Sequence, residues 1–228
     1  MSIHEKQAMR IFITSILFVL TIPVLGQNQS LGFKSGISLS NVYSKEFLDN
    51  TGNRLGFTFG LSYEAELKKQ LFVGADFLYS QKGFTAETTI TTDQGVILEE
   101  ETSRYNYDYL SIPFKAGYKK GGRFKGSACL GFVPSILLKN EIIFPTADDN
   151  SITYTTKKVN LFDFGGLVEL MAEYELNANL ILFTSLSYQQ SFSSITNSEY
   201  FSGSKVWHYG GQLSFGIKYR LKTKNSMN

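Results

Sequence analysis

Between residues 206 and 221 the chain reads VWHYGGQLSFGIKYRL, in which Trp207, Tyr209, Leu213, Phe215, Ile217, Tyr219 and Leu221 alternate with His208, Gly210, Gln212, Ser214, Gly216, Lys218 and Arg220. Successive side chains of a strand point to opposite faces, so the pattern predicts a strand with one apolar and one polar face. The same period recurs in Leu31–Asn41, Arg54–Leu67, Leu71–Lys82, Tyr107–Tyr118, Phe124–Lys139, Leu161–Tyr174 and Leu180–Gln190. Phe72 and Leu78 interrupt it within their strand. Beyond residue 30 no stretch sustains a helical period for more than a turn or two, and eight strands are expected.

The connections alternate in length. Those at Val42–Asn53, Gly83–Asn106, Asn140–Asn160 and Ser191–Val206 are long, whereas Lys68–Gln70, Lys119–Arg123 and Glu175–Asn179 are tight. Long loops then gather at one end and tight turns at the other, as in an up-and-down antiparallel meander whose ends meet different surroundings. Within the longest connection, Thr88–Thr92, a turn at Asp93-Gln94-Gly95, and Val96–Leu98 predict a hairpin projecting past the meander.

Closing such a sheet poses the question of which face is wet. An eight-stranded barrel encloses only enough room for side chains or one small ligand. Phe57, Phe59, Phe77, Phe164, Trp207, Phe215 and the other large residues of the apolar register would overfill it. The opposite register is dominated by Gly, Ser and Thr, with far fewer charges than the roughly 25–35% expected of a soluble exterior. Inverting the barrel removes both conflicts and predicts an eight-stranded antiparallel up-and-down transmembrane β-barrel, all-β. The interior then receives Lys34, Arg54, Lys115, Lys125, Lys218 and Arg220 together with Glu64, Glu66, Asp76, Asp163, Glu169 and Glu173, with roughly a third of them at the rims. Tyr63, Tyr118, Tyr174, Tyr188, Trp207, Tyr209 and Tyr219 suit aromatic girdles at the two membrane boundaries. Closure also satisfies the backbone within lipid.

Composition agrees. Charged residues make up 18% of the 228-residue chain, below the roughly 25% of a soluble domain, beside 13 Tyr and 19 Phe. The net charge of +2 gives no electrostatic footprint for nucleic acid. Residues 1–26 combine Lys6 and Arg10, an apolar run from Ile11 to Leu25 and a small-residue exit at Gly26, the pattern of a secretory signal peptide. Its run is shorter than the about 20 apolar residues of a membrane helix. Residues 27–222 are then the barrel and 223–228 a tail. Cleavage removes two bases and one acid, leaving +1, and the exported chain holds only Cys129, so no disulfide framework is possible.

The segment Tyr107-Asp108-Tyr109-Leu110-Ser111-Ile112-Pro113-Phe114-Lys115-Ala116-Gly117-Tyr118 resembles the YLxIPLxxKY signature of the PorT-like outer-membrane β-barrel family of the Bacteroidota, with support from LGFKSGISLSNV and GIKYRL. The resemblance spans about residues 28–222 and implies a fold and a location in the outer membrane. It implies little about activity, since a fold does not carry a function with it. The chain departs from many such barrels in ending on KTKNSMN rather than on an aromatic residue, so either Tyr219 serves as an internal insertion signal or insertion is less efficient.

Candidate chemistry is sparse. His208 is the only histidine outside the leader and could partner Ser187 or Asp163 in a lipid-modifying site. No local motif brings nucleophile, base and orienting group together, so a polar inward or rim residue is the preferred reading. One His and one Cys do not make a zinc site, Asp148-Asp149-Asn150 reads as a solvated turn, and Cys129 as a small inward filler. No catalytic, cofactor or metal residues are assigned. A wide pore does not fit eight strands. The expected function is non-enzymatic: a structural, adhesive or assembly-partner barrel acting through long extracellular loops, with Glu99-Glu100-Glu101 as a contact or repulsive patch. The alternatives are a lipid-modifying enzyme using His208 and a small-molecule-binding barrel. Expected partners are outer-membrane lipid and a protein at the long loops or periplasmic turns, for a monomeric barrel.

Overall fold

The structure is a computed structural model that describes residues 28–44, 51–67, 70–91, 97–145, 151–154, 159–196 and 205–221. The expected signal peptide, the C-terminal tail and Asp148-Asp149-Asn150 lie outside them. Ten strand segments are present: β1 (Asn28–Ser44), β2 (Thr51–Glu66), β3 (Leu71–Thr91), β4 (Ile97–Ser111), β5 (Phe114–Gly121), β6 (Phe124–Pro145), β7 (Ser151–Tyr154), β8 (Phe162–Glu175), β9 (Leu180–Ser191) and β10 (Val206–Leu221). All pair antiparallel, and the sheet closes where β1 meets β10, from Gln29 opposite Leu221 to Ser44 opposite Val206.

The ring has eight staves. β7 only extends a hairpin from the end of β6. β4 and β5 form one strand: Leu78 faces Ser111 and Ala75 faces Phe114 in an unbroken register against β3, and the register against β6 is equally continuous. Pro113 interrupts that strand because it has no N–H to donate. The neighbouring ladder bonds persist, with Asp76 N donating to Pro113 O at 3.0 Å and Ile112 N to Pro134 O at 2.9 Å. The expected hairpin continues β3 and β4 past the barrel, with Thr91 opposite Ile97, while its turn lies outside the described residues.

The apolar register faces outward. Phe57, Phe164 and Phe215 are 48%, 40% and 57% exposed, whereas Glu64 and Glu169 are 4% and 1% exposed. That distribution suits a molecule solvated by hydrocarbon. Outward Tyr118, Phe124, Tyr174 and Tyr219 ring the short-turn end, and Tyr43 stacks on Trp207 at 6.1 Å near the long-loop end.

The lumen is less uniformly polar than the alternation implies. Phe72 and Leu78, which interrupt the apolar register of β3, are buried inward, as are Val133, Leu167, Met171, Ile181 and Phe183. Glycine makes room for Phe183: a β-carbon on Gly216 would come within 2.3 Å of its ring. In the outward register, Phe114 is covered by its neighbours, lying 5.0 Å from Phe132 and packed with Ala75 and Ile112.

Candidate functional site

Among the described residues the lumen concentrates most of the buried charged side chains, and alternation decides which they are. Glu64 on β2, Lys119 on β5, Glu173 on β8 and Lys218 on β10 all occupy inward positions on every second stave of the ring. Residues on alternate staves meet at one level of a small barrel, and here their signs alternate. Lys218 Nζ lies 2.7 Å from Glu64 and 2.6 Å from Glu173. Lys119 Nζ lies 2.9 Å from Glu173 Oε1 and also contacts Glu64. Four contacts therefore close a four-membered circuit across the lumen.

A second circuit lies one level deeper. Lys34 contacts Glu169 at 2.5 Å and Asp76 at 3.5 Å, and Lys115 contacts Asp76 at 2.8 Å and Glu169 at 3.0 Å. Every charge in the two rings has opposite charges as neighbours, which makes a buried ion tolerable where solvation is lost. At the short-turn rim, wetter pairs complete the series: Lys125 with Glu66 at 3.6 Å, and Glu175 held by Lys125 at 3.0 Å and Arg220 at 2.5 Å.

Beyond the rings the lumen becomes hydroxyl-rich, with Ser111 and Ser135 2.9 Å apart and Thr58 and Ser80 3.2 Å apart. Ser40 bonds the Gly83 backbone in both directions, donating from Oγ to the carbonyl and accepting from the amide. Next, Asp163 accepts from Lys82 Nζ at 2.9 Å, Ser191 Oγ at 2.9 Å and Ser193 Oγ at 2.8 Å. An apolar cap follows toward the long loops, built by Val42, Phe84, Ala86, Tyr107, Tyr109, Leu137, Ile195 and Val206.

His208 sits where the polar lumen meets this cap, with Tyr107 and Tyr109 edge-on to its ring at 5.2 and 5.9 Å. Neither of its nitrogens has a hydrogen-bond partner among the described residues. Asp163 is occupied by its three donors, and Ser187 is buried without a hydrogen bond to the imidazole. The nucleophile–base–orienter chain that a lipid-modifying site needs is not assembled around His208. Beside it lies a cavity of about 30 Å³ lined by Ser38, Ser40, Thr58, Ser80, Lys82 and Gln212 among others. That is space for about two waters. Pockets for organic ligands are about ten times larger or more.

Of the twelve charges expected inside, the structure brings eleven into ion pairs in the lumen or at its rim, Asp163 among them. Arg54 instead donates to the Lys82 carbonyl at 3.0 Å. Sequence reasoning missed Lys119, Lys82 and Glu175, assigned to a turn, a strand end and a turn. The inward register of their strands, continued by two residues, could have found them. Cys129 is buried inward as expected. Among the described residues no group of three or more His, Cys, Asp or Glu is placed to hold a metal ion.

The geometry agrees with comparisons to known proteins. The model of the outer membrane protein beta-barrel domain matches residues 26–197. No curated protein sequence matches. Among solved structures, OprG of Pseudomonas aeruginosa aligns over 87% of this chain and 99% of its own at 13% identity and a TM-score of 0.51. Ail of Yersinia pestis, solved with a heparin analogue, aligns over 85% and 99% at 15% identity with a TM-score of 0.38. The outer membrane protease OmpT of Escherichia coli aligns over 86% and 97% at 11% identity with a TM-score of 0.43. At these identities the likeness concerns the fold alone.

Proposed function

The chain belongs to the outer membrane β-barrel domain family, and from that premise we propose that it is a sealed, non-enzymatic barrel that works at its long-loop end as an adhesive or assembly-partner protein. The observation that carries this reading is the pair of closed charge rings below an apolar cap, which fills the lumen with bonded side chains. A plugged barrel is poorly suited to conduct solutes and well suited to hold its loops on a rigid base. β3 and β6 have 21 and 22 residues, whereas about 9–11 residues span a bilayer. Their surplus lies at the long-loop end and supports a raised hairpin platform. The Tyr107–Tyr118 motif inclines the reading toward PorT-like barrels.

The test replaces residues 88–101 by an Asn-Gly turn and asks whether the trimmed barrel complements a deletion strain in surface attachment and in secretion. The expected result is a folded, membrane-inserted barrel that fails to complement. Full complementation by the trimmed barrel, or a steady single-channel conductance of the intact protein in planar bilayers, would overturn the proposal.

A further inference from the structure

At the short-turn rim, positive charge serves two different surroundings. Lys119, Lys125 and Arg220 point to carboxylates in or across the lumen mouth. Lys120, on β5, and Arg123, in the β5–β6 turn, are exposed and form no ion pair among the described residues. Arg123 donates from Nε to the Glu175 carbonyl at 3.1 Å and holds its guanidinium 5.1 Å from the centre of the Tyr174 ring. Tyr118, Phe124 and Tyr174 project outward from adjacent β5, β6 and β8 and are 48%, 64% and 41% exposed. Both cations therefore stand on the lipid-facing girdle.

Short turns of such barrels face the periplasm, so this girdle meets the headgroups of the inner leaflet. We propose that Lys120 and Arg123 form a binding site for the phosphate of an anionic phospholipid of that leaflet. The Nε hydrogen bond and the position over the Tyr174 ring hold the guanidinium and leave its terminal N–H groups to pair with phosphate oxygens, while the flexible lysine supplies a second, less directional charge. The adjoining aromatic rings suit the glycerol and carbonyl region of the same lipid. On the membrane side of the cations, Gly126 pairs with Ala172. Apart from its chain neighbours, no atom lies within 4 Å of where a β-carbon on Gly126 would project, so the wall accepts an acyl chain lying flat.

The test uses the full mature barrel, refolded and equilibrated in vesicles of phosphatidylcholine containing phosphatidylglycerol, then released for native mass spectrometry. Wild-type protein should retain phosphatidylglycerol over phosphatidylcholine, and K120Q/R123Q should reduce that preference on the order of tenfold. R123K, which keeps the charge without the held guanidinium, should fall between them, and K139Q at the opposite end should behave as wild type. Circular dichroism and the heat-dependent gel shift verify folding of each variant. Equal retention of the two lipids by wild type, or unchanged preference in a folded K120Q/R123Q, would overturn the proposal. A cation-dependent preference for lipopolysaccharide over phosphatidylglycerol would refute its assignment to the inner leaflet.

Discussion

Replacing Lys218 by methionine removes one positive charge from the ring nearer the short turns and preserves much of the side chain's length and bulk. The change leaves Glu64 and Glu173 each with one fewer partner, from contacts of 2.7 and 2.6 Å. Lys119 then faces two buried carboxylates alone, and the circuit carries a net negative charge. Breaking a buried pair costs about 3–5 kcal/mol because the remaining ion stays desolvated. At about 1.4 kcal/mol per factor of ten, even the lower value shifts the folding equilibrium more than a hundredfold. Lys125→Met is the internal comparison, because its ion pairs lie at the partly wet rim, where such pairs contribute only about 0–1 kcal/mol. Equilibrium urea unfolding in phospholipid vesicles, followed by tryptophan fluorescence, measures both. A neutralised ring, Lys119→Met and Lys218→Met with Glu64→Met and Glu173→Met, should recover most of the loss, since apolar replacement of an entire buried network is often neutral or favourable. The reasoning fails if Lys218→Met costs no more than Lys125→Met, or if the neutralised ring is as unstable as the single variant.

Two further outcomes follow from the site and the wall. His208→Leu should leave the acyl pattern of lipid A unchanged by mass spectrometry and alter stability by less than about 1 kcal/mol, because the ring makes no hydrogen bond to a described group; an altered pattern would restore the enzymatic alternative. Leu213→Arg, placed on the outward face between the girdle residues Tyr209 and Tyr219, should cost about 2–4 kcal/mol in vesicles, and a negligible cost there would contradict the assignment of that face to lipid.

Alternation carried most of the architecture because period and burial coincide on the wall: Leu213, Phe215 and Ile217 had to face one medium and Ser214, Gly216 and Lys218 the other. Long-range partners were harder to read. Lys218 and Glu64 are 154 residues apart in sequence and meet only because β10, β1 and β2 are consecutive staves, and no local pattern encodes the stagger that levels them. Lys119 was assigned to a turn because hydropathy near a strand end does not distinguish the last inward position from the first loop residue. Phe183 stands in the polar register of its strand, where it lies on Gly216 and beneath the Lys218 ammonium, 4.8 Å from the ring centre. The room for this bulky side chain comes from Gly216 facing it, a pairing visible only after the register is known.

The placement of the Tyr107–Tyr118 motif separates what the resemblance explains from what it does not. Tyr107 and Tyr109 brace His208 in the cap, Ser111 bonds Ser135, Pro113 interrupts the strand, and Lys115 joins the second charge ring. Its inward residues thus build the lumen, and the outward Leu110 and Phe114 belong to the lipid-facing register. Apart from Tyr118 at the short-turn girdle, the residues of this segment placed above serve the wall and the filling of the lumen. On the proposed reading, recognition falls to the two ends, where the strands leave the bilayer. The long-loop platform and the cationic short-turn rim are consequently separable, and trimming residues 88–101 should leave the phosphatidylglycerol preference of Lys120 and Arg123 intact.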